Sequence, residues 1–182
     1  CSDAIRNVVG ADIGYINGGG LRSSISAGDV TFNDLLAVFP FNNTILLVEV
    51  SGQTIKDMLE MAMMKWPGED GSFPHVAGLT FSVNKSIPTS VKTDENTVFT
   101  GVDGEYRVYD IKVLNKDTGE YEPIKLDGTY SFASFNYFVL DQGGGMSMFD
   151  GVKILKNDGR LDVEALETYI TENLGGVIGE EY

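Results

Sequence analysis

Apolar residues in this chain recur with a helical period in one stretch and with a strand period in others, so the fold must join helices to sheet. After Ser51, the residues Ile55, Met58, Leu59, Ala62 and Met63 fall at i, i+3, i+4, i+7 and i+8 until Pro67-Gly68 interrupts them. That spacing predicts an amphipathic helix capped by Ser51. Farther along, Leu79, Phe81 and Val83 alternate with Thr80 and Ser82, and Tyr109, Ile111 and Val113 alternate with Asp110 and Lys112. Alternation of this kind predicts half-buried antiparallel strands. The polar stretch 85–104 between them reads as a long hairpin connection or insertion.

The rest of the chain fills in around these elements. Residues 11–16 are small or apolar and run into glycine, as a buried strand ending in a turn does, and residues 44–50 form a nearly continuous apolar strand. Residues 130–137 are read as a further strand. Thr31 with Asp34 forms a weak capping box, predicting a short helix through Leu35, Leu36, Val38 and Phe39 to Pro40. Residues 161–174 predict a closing helix, with Asp162 near its start, Val163, Leu166, Ile170 and Leu174 on one face, and Gly175-Gly176 after it. The chain opens on CSDAIRNVVG, with Ile5 and Val9 four apart, an amphipathic helix that starts without a cap. Such a start suggests a piece of something longer, and no signal peptide stands there. The sum is an α/β or α+β architecture, a layered mixed sheet with flanking helices, built as one domain over residues 1–182.

Charge and residue usage narrow the functions. A formal charge of -14, with scattered Lys and Arg, repels a phosphate backbone, so no nucleic acid polymer is expected as a partner. The apolar runs are too short for a transmembrane segment. One cysteine, Cys1, excludes an internal disulfide framework. The only histidine, His75, reads as a structural or surface residue, and the acidic residues gather at turns and helix ends as a solvated surface. No metal site and no convincing catalytic set is expected within the chain.

Three short stretches invite a ligand. In Asn17-Gly18-Gly19-Gly20-Leu21-Arg22 the glycines allow close approach of backbone to an anion or a ring, and Arg22 supplies a planar charged fork. The spacing fits neither phosphate-loop nor dinucleotide patterns, and tight turn and ligand loop remain equally open. Phe39-Pro40-Phe41-Asn42-Asn43 places an aromatic ring beside two amides. Phe135-Asn136-Tyr137-Phe138 precedes Gly143-Gly144-Gly145. Aromatic residues more commonly serve a core, yet two in loops can also stack a nucleobase between them.

The stretches ADIGYINGGGLRSSISAGDVTFNDLLAVFPFNNTILLVEVSGQTIKDMLE, FPHVAGLTFSV and YSFASFNYFVLDQGGGMSMF, in this order, resemble the carboxyl-terminal domain of the 5'-nucleotidase family, from about residue 2 to residue 149. The resemblance implies that domain's fold and a nucleoside-binding role in a nucleotide phosphohydrolase, with a related 2',3'-cyclic-nucleotide phosphodiesterase or a non-catalytic, dimerising surface module as alternatives. It implies a covalently linked metallophosphoesterase domain before residue 1, which holds two divalent metal ions, so the chain alone would hydrolyse nothing. It also implies an extracellular, cell-wall or periplasmic location. By the same resemblance Asn17, Gly19 and Gly20 border the base and ribose, Arg22 holds the nucleotide, Phe41 and Phe138 sandwich the base, and Asn43 touches it. The family's G-G-D-G aspartate falls on Gly144, with Asp141 as the nearest substitute carboxylate.

Overall fold

The computed structural model describes residues 1–179 of the chain; the last three residues of the expected domain lie outside the described residues. In chain order the elements are α1 (Ser2–Val9), β1 (Ile13–Asn17), α2 (Phe32–Val38), β2 (Ile45–Ser51), α3 (Gly52–Ala62), β3 (Pro74–Ala77), β4 (Leu79–Val83), β5 (Val91–Thr93), β6 (Phe99–Val102), β7 (Val108–Leu114), β8 (Tyr121–Pro123), β9 (Thr129–Phe135), α4 (Asn136–Val139), β10 (Lys153–Lys156) and α5 (Asp162–Thr168). Five strands form the main sheet in the order β10-β2-β9-β1-β3. Within it β1 and β9 run parallel and every other neighbouring pair is antiparallel. A three-stranded sheet β4-β7-β8 and the β5-β6 hairpin complete the mixed α/β fold.

Local chemistry accounts for the helices. The Ser51 hydroxyl accepts the Thr54 amide at 3.0 Å, capping α3. The Asp34 carboxylate accepts the Thr31 amide at 2.7 Å, closing the box at the start of α2. The apolar face of α3 buries Ile55, Met58 and Leu59 and meets both β2 and β7, which ties the main sheet to the small one. A buried polar staple reinforces that junction. The Glu60 carboxylate, fully buried, accepts the amides of Arg107 and Val108, and the Arg107 guanidinium donates to the carbonyls of Met63 and Trp66 at the end of α3. A cation on those carbonyls also suits the negative end of the helix.

Four features differ from the sequence reading. β3 and β10 are short edge strands that no alternation announces; β10 has the sequence KILK and is exposed throughout, its lysines blunting the edge. The stretch 130–137 stays extended only to Phe135, and Asn136 begins a helical turn. The closing helix is α-helical from Asp162 to Thr168 and passes into a π turn at Tyr169–Asn173. The 85–104 stretch, by contrast, is an insertion closed by the β5-β6 hairpin.

Candidate functional site

Strand direction gathers the three candidate loops. Because β1 runs parallel to β9 (Gly14 opposite Ala133) and β2 antiparallel to it (Ile45 opposite Phe135), the ends of β1 and β9 and the beginning of β2 share one edge of the sheet. That edge therefore carries the glycine loop, the Phe41 loop and α4. Strand ends of this kind are common ligand positions in such sheets.

A cavity of about 260 Å³ opens there, lined by Asn17, Gly19, Gly20, Phe41, Asn43, Phe135 and Tyr137. A second, of about 440 Å³, lies beside it and shares Asn17 and Tyr137; its remaining lining includes Met61, Lys65, Asn96, Phe138 and Gly144. Asparagine side chains hold the walls together. The Asn136 side-chain carbonyl accepts the Thr44 amide at 2.8 Å while the Asn136 amide donates to the Thr44 carbonyl at 2.9 Å, clamping α4 to the Phe41 loop. Asn43 donates its amide and its side-chain NH₂ to the Asp162 carboxylate, at 3.2 and 3.1 Å. Burial pushes the Asp162 carboxyl up, and the Asn43 and Val163 hydrogen bonds pull against that rise. With its NH₂ engaged, Asn43 retains its carbonyl oxygen for a ligand.

The glycine run serves first as a packing surface. The amides of Gly18 and Gly19 donate to the carbonyls of Phe73 and Gly71, both at 2.8 Å, and Asn17 Nδ2 donates to the Gly71 carbonyl. A Cβ on Gly19 would stand 3.1 Å from the Gly71 backbone, and one on Gly20 would stand 3.0 Å from Asn17 Oδ1. The run is thus a tight turn pressed on a neighbouring loop, and its other side is the cavity wall. Two of its amides are already occupied and are not an anion cradle. Arg22 is exposed, donates to the Gly19 carbonyl at 3.2 Å and lies over the Phe41 ring, 6.0 Å from its centre.

The aromatic residues divide differently from the sequence expectation. Phe41 is 57% exposed and Tyr137 43%, whereas Phe138 is only 2% exposed. Phe138 packs into the core against Tyr15, at 5.1 Å between ring centres, and carries Tyr137 edge-on at 4.9 Å. Phe135 and Tyr137 line the cavity with Phe41, and of these two Tyr137 is the exposed one. The reason is the turn at Asn136: a strand continued to residue 138 would alternate faces, but a helical turn sends Tyr137 outward and Phe138 down. Asp141 is exposed and lines neither cavity; its contact is with Asn136 Nδ2 at 3.5 Å. Gly144 lines the second cavity with φ of 65°, and a Cβ there would stand 3.9 Å from the Phe138 ring; the carboxylate lining that cavity is Asp70, bound to Lys65. Among the described residues no group of three or more His, Cys, Asp or Glu stands together, so they do not fit a metal centre of the implied kind. His75 is an exposed residue of β3 that packs edge-on against Phe73. Sequence reasoning placed Phe135, Asn136 and Tyr137 in a candidate stretch without giving them individual roles, and read Asp162 only as the start of the closing helix.

The model of the 5'-nucleotidase C-terminal domain matches residues 1–151. The chain belongs to the 5'-nucleotidase C-terminal domain family. Relatives of this 5'-nucleotidase C-terminal domain come from bacteria and from an insect. It is 32% identical over 161 residues to the trifunctional nucleotide phosphoesterase protein YfkN of Bacillus subtilis, covering 87% of this chain and 10% of that protein. It is 32% identical over 177 residues to protein 5NUC of Lutzomyia longipalpis, covering 92% of this chain and 28% of that one. The domain thus spans between a tenth and little more than a quarter of these relatives' length. Its fold aligns with the 5'-nucleotidase precursor of Thermus thermophilus at a TM-score of 0.78 and 26% identity, over 94% of this chain and 31% of that one.

Proposed function

We propose that this domain recognises the nucleoside part of the substrate of a larger nucleotide phosphohydrolase acting in nucleotide catabolism. One observation carries the proposal: an exposed aromatic ring, Phe41, bounds a cavity whose other walls are the Asn17 and Asn43 amides, the glycine backbone and the side chains of Phe135 and Tyr137. A nucleobase offers a flat face to the ring and hydrogen-bonding edges to the amides. In this reading Phe41 stacks the base, Asn43 and Asn17 read its edge, Gly19 and Gly20 leave room for it, and Arg22 at the rim holds the anionic end of a nucleotide. Phe138, whose ring is buried, acts as the support beneath.

Catalysis belongs in this reading to a covalently linked preceding domain, where two divalent metal ions would activate water for attack on phosphorus. The match to only part of each relative supports such a linkage. Family kinship supports an extracellular, cell-wall or periplasmic setting, and among the described residues no helix is long and apolar enough to cross a membrane. The exposed position of Asp141 and the bare Gly144 favour a second reading, a binding module with loosened sugar recognition.

Calorimetric titration of the chain with adenosine tests the proposal. Saturable binding that Phe41→Ala weakens about fivefold or more is expected, given roughly 1–3 kcal/mol for a stacked base. Absence of binding at millimolar adenosine, with the chain folded, would overturn it.

A further inference from the structure

We propose that the groove between the 25–32 loop and the segment after α5 docks a basic, amphipathic helical segment of a partner protein. The groove measures about 900 Å³ and shares no lining residue with the two cavities at the sheet edge. Two glycines shape one wall. Gly175 and Gly176 take φ of 66° and 83°, and the Gly176 amide donates to the Ile170 carbonyl at 2.8 Å, so the chain turns back and lays Val177 and Ile178 along the groove. The opposite wall is the 25–32 loop running into α2, which presents Val30 and Phe32. The buried residues lining it are Leu35 and Ile170, where α2 meets the end of α5. Val30, Phe32, Val177 and Ile178 are all exposed, and four large apolar side chains around one groove form a patch of the kind that marks an interaction site.

Charge selects the occupant. The charged side chains lining the groove are Asp29 and Glu167, both exposed, and neither has an ion pair or a side-chain hydrogen bond among the described residues. Glu164 stands on the same face of α5, one turn before Glu167. An anionic lipid surface would meet carboxylates there, and a second copy of a chain of charge -14 would set like charges against one another. A small polar ligand would find the neighbouring hydroxyls engaged: Thr31 Oγ1 donates to Asp34 at 2.6 Å and Thr171 Oγ1 to the Glu167 carbonyl at 2.9 Å. A helix with leucine-like side chains on one face and lysines along its flanks matches both features. Its apolar face enters the groove, and its cations reach Asp29 and Glu167.

The probe is a fluorescent leucine–lysine peptide of about 14 residues in amphipathic helical order, with a scrambled peptide of the same composition beside it. Fluorescence anisotropy with the 182-residue chain is expected to show saturable binding by the ordered peptide and at least about tenfold weaker binding by the scrambled one. Asp29→Lys with Glu167→Lys, and separately Phe32→Ser with Val177→Ser, are each expected to weaken the ordered peptide about tenfold or more. Glu95→Lys with Glu105→Lys makes the same change in net charge outside the groove and is expected to alter affinity less than about threefold. The inference fails if the ordered peptide does not saturate a folded chain, or if the scrambled peptide and both charge-reversed variants bind alike, which reduces the effect to net charge. It fails equally if sedimentation equilibrium shows a dimer that Phe32→Ser with Val177→Ser dissociates, or if phosphatidylglycerol vesicles bind the chain through those two residues.

Discussion

A phenylalanine left in solvent forgoes about 1.5–3 kcal/mol of burial, and Phe41 forgoes much of it beside two amides and an arginine. Its neighbours are held by bonds that a sequence does not display. Asn136 is one such residue, and its removal should be felt in stability as well as in binding. Asn136→Ala leaves the Thr44 amide without its 2.8 Å acceptor, so a loss of about 1–3 kcal/mol is expected in denaturant unfolding. At this scale the sequence was legible in type and not in orientation. Phe41, Asn43, Gly19 and Gly20 are candidates in the sequence and do line one cavity, but which ring of the string Phe-Asn-Tyr-Phe stands exposed in that cavity could not be chosen from the string. Which of two adjacent aromatics faces out depends on whether the backbone stays extended, and it stops being extended one residue before Tyr137. Nor could the string NGGG show that two of its amides are taken by another loop.

Among the elements, α3 and its attachments carry the most testable chemistry. Glu60 accepts three hydrogen bonds from the amides of Arg107 and Val108 in a fully buried site. Glu60→Ala orphans those donors and removes the charge facing the Arg107 segment. A loss of about 3 kcal/mol is expected, lowering the melting temperature by about 6–12 °C in a domain of this size. The 70–73 loop that braces the glycine run has its own acid dependence. Hydrogen bonds from Lys65 and Ser72 hold the Asp70 carboxyl down from 3.8 to about 2. A depressed carboxyl stabilises the fold above its unfolded value, and the contribution is lost as pH falls from about 4 to about 2. Asp70→Asn should therefore flatten the acid limb of the stability curve in that window, measured by urea unfolding at several pH values. Helices with caps and strands with alternation were legible here; β3 and β10 were not, because four residues at a sheet edge show neither pattern.

At the scale of the molecule, the layered mixed sheet follows from the two hydrophobic periods, and its topology explains why loops far apart in sequence meet. Residues near 20, 43 and 137 converge because β1 and β9 are parallel and β2 is antiparallel to β9. Strand order is a long-range property that the sequence pattern alone does not encode, so the meeting of the loops was accessible beforehand only through family resemblance. The division of labour proposed here also predicts that the purified chain, offered nucleoside monophosphates with Mg²⁺, Mn²⁺, Zn²⁺ or Co²⁺, releases no phosphate above background in a colorimetric assay. The most direct measurement is a crystal structure of the chain grown with adenosine. Nucleoside recognition at the sheet edge predicts electron density for the base against the Phe41 ring, between the glycine loop and Tyr137. A base bound anywhere else on the surface would contradict it.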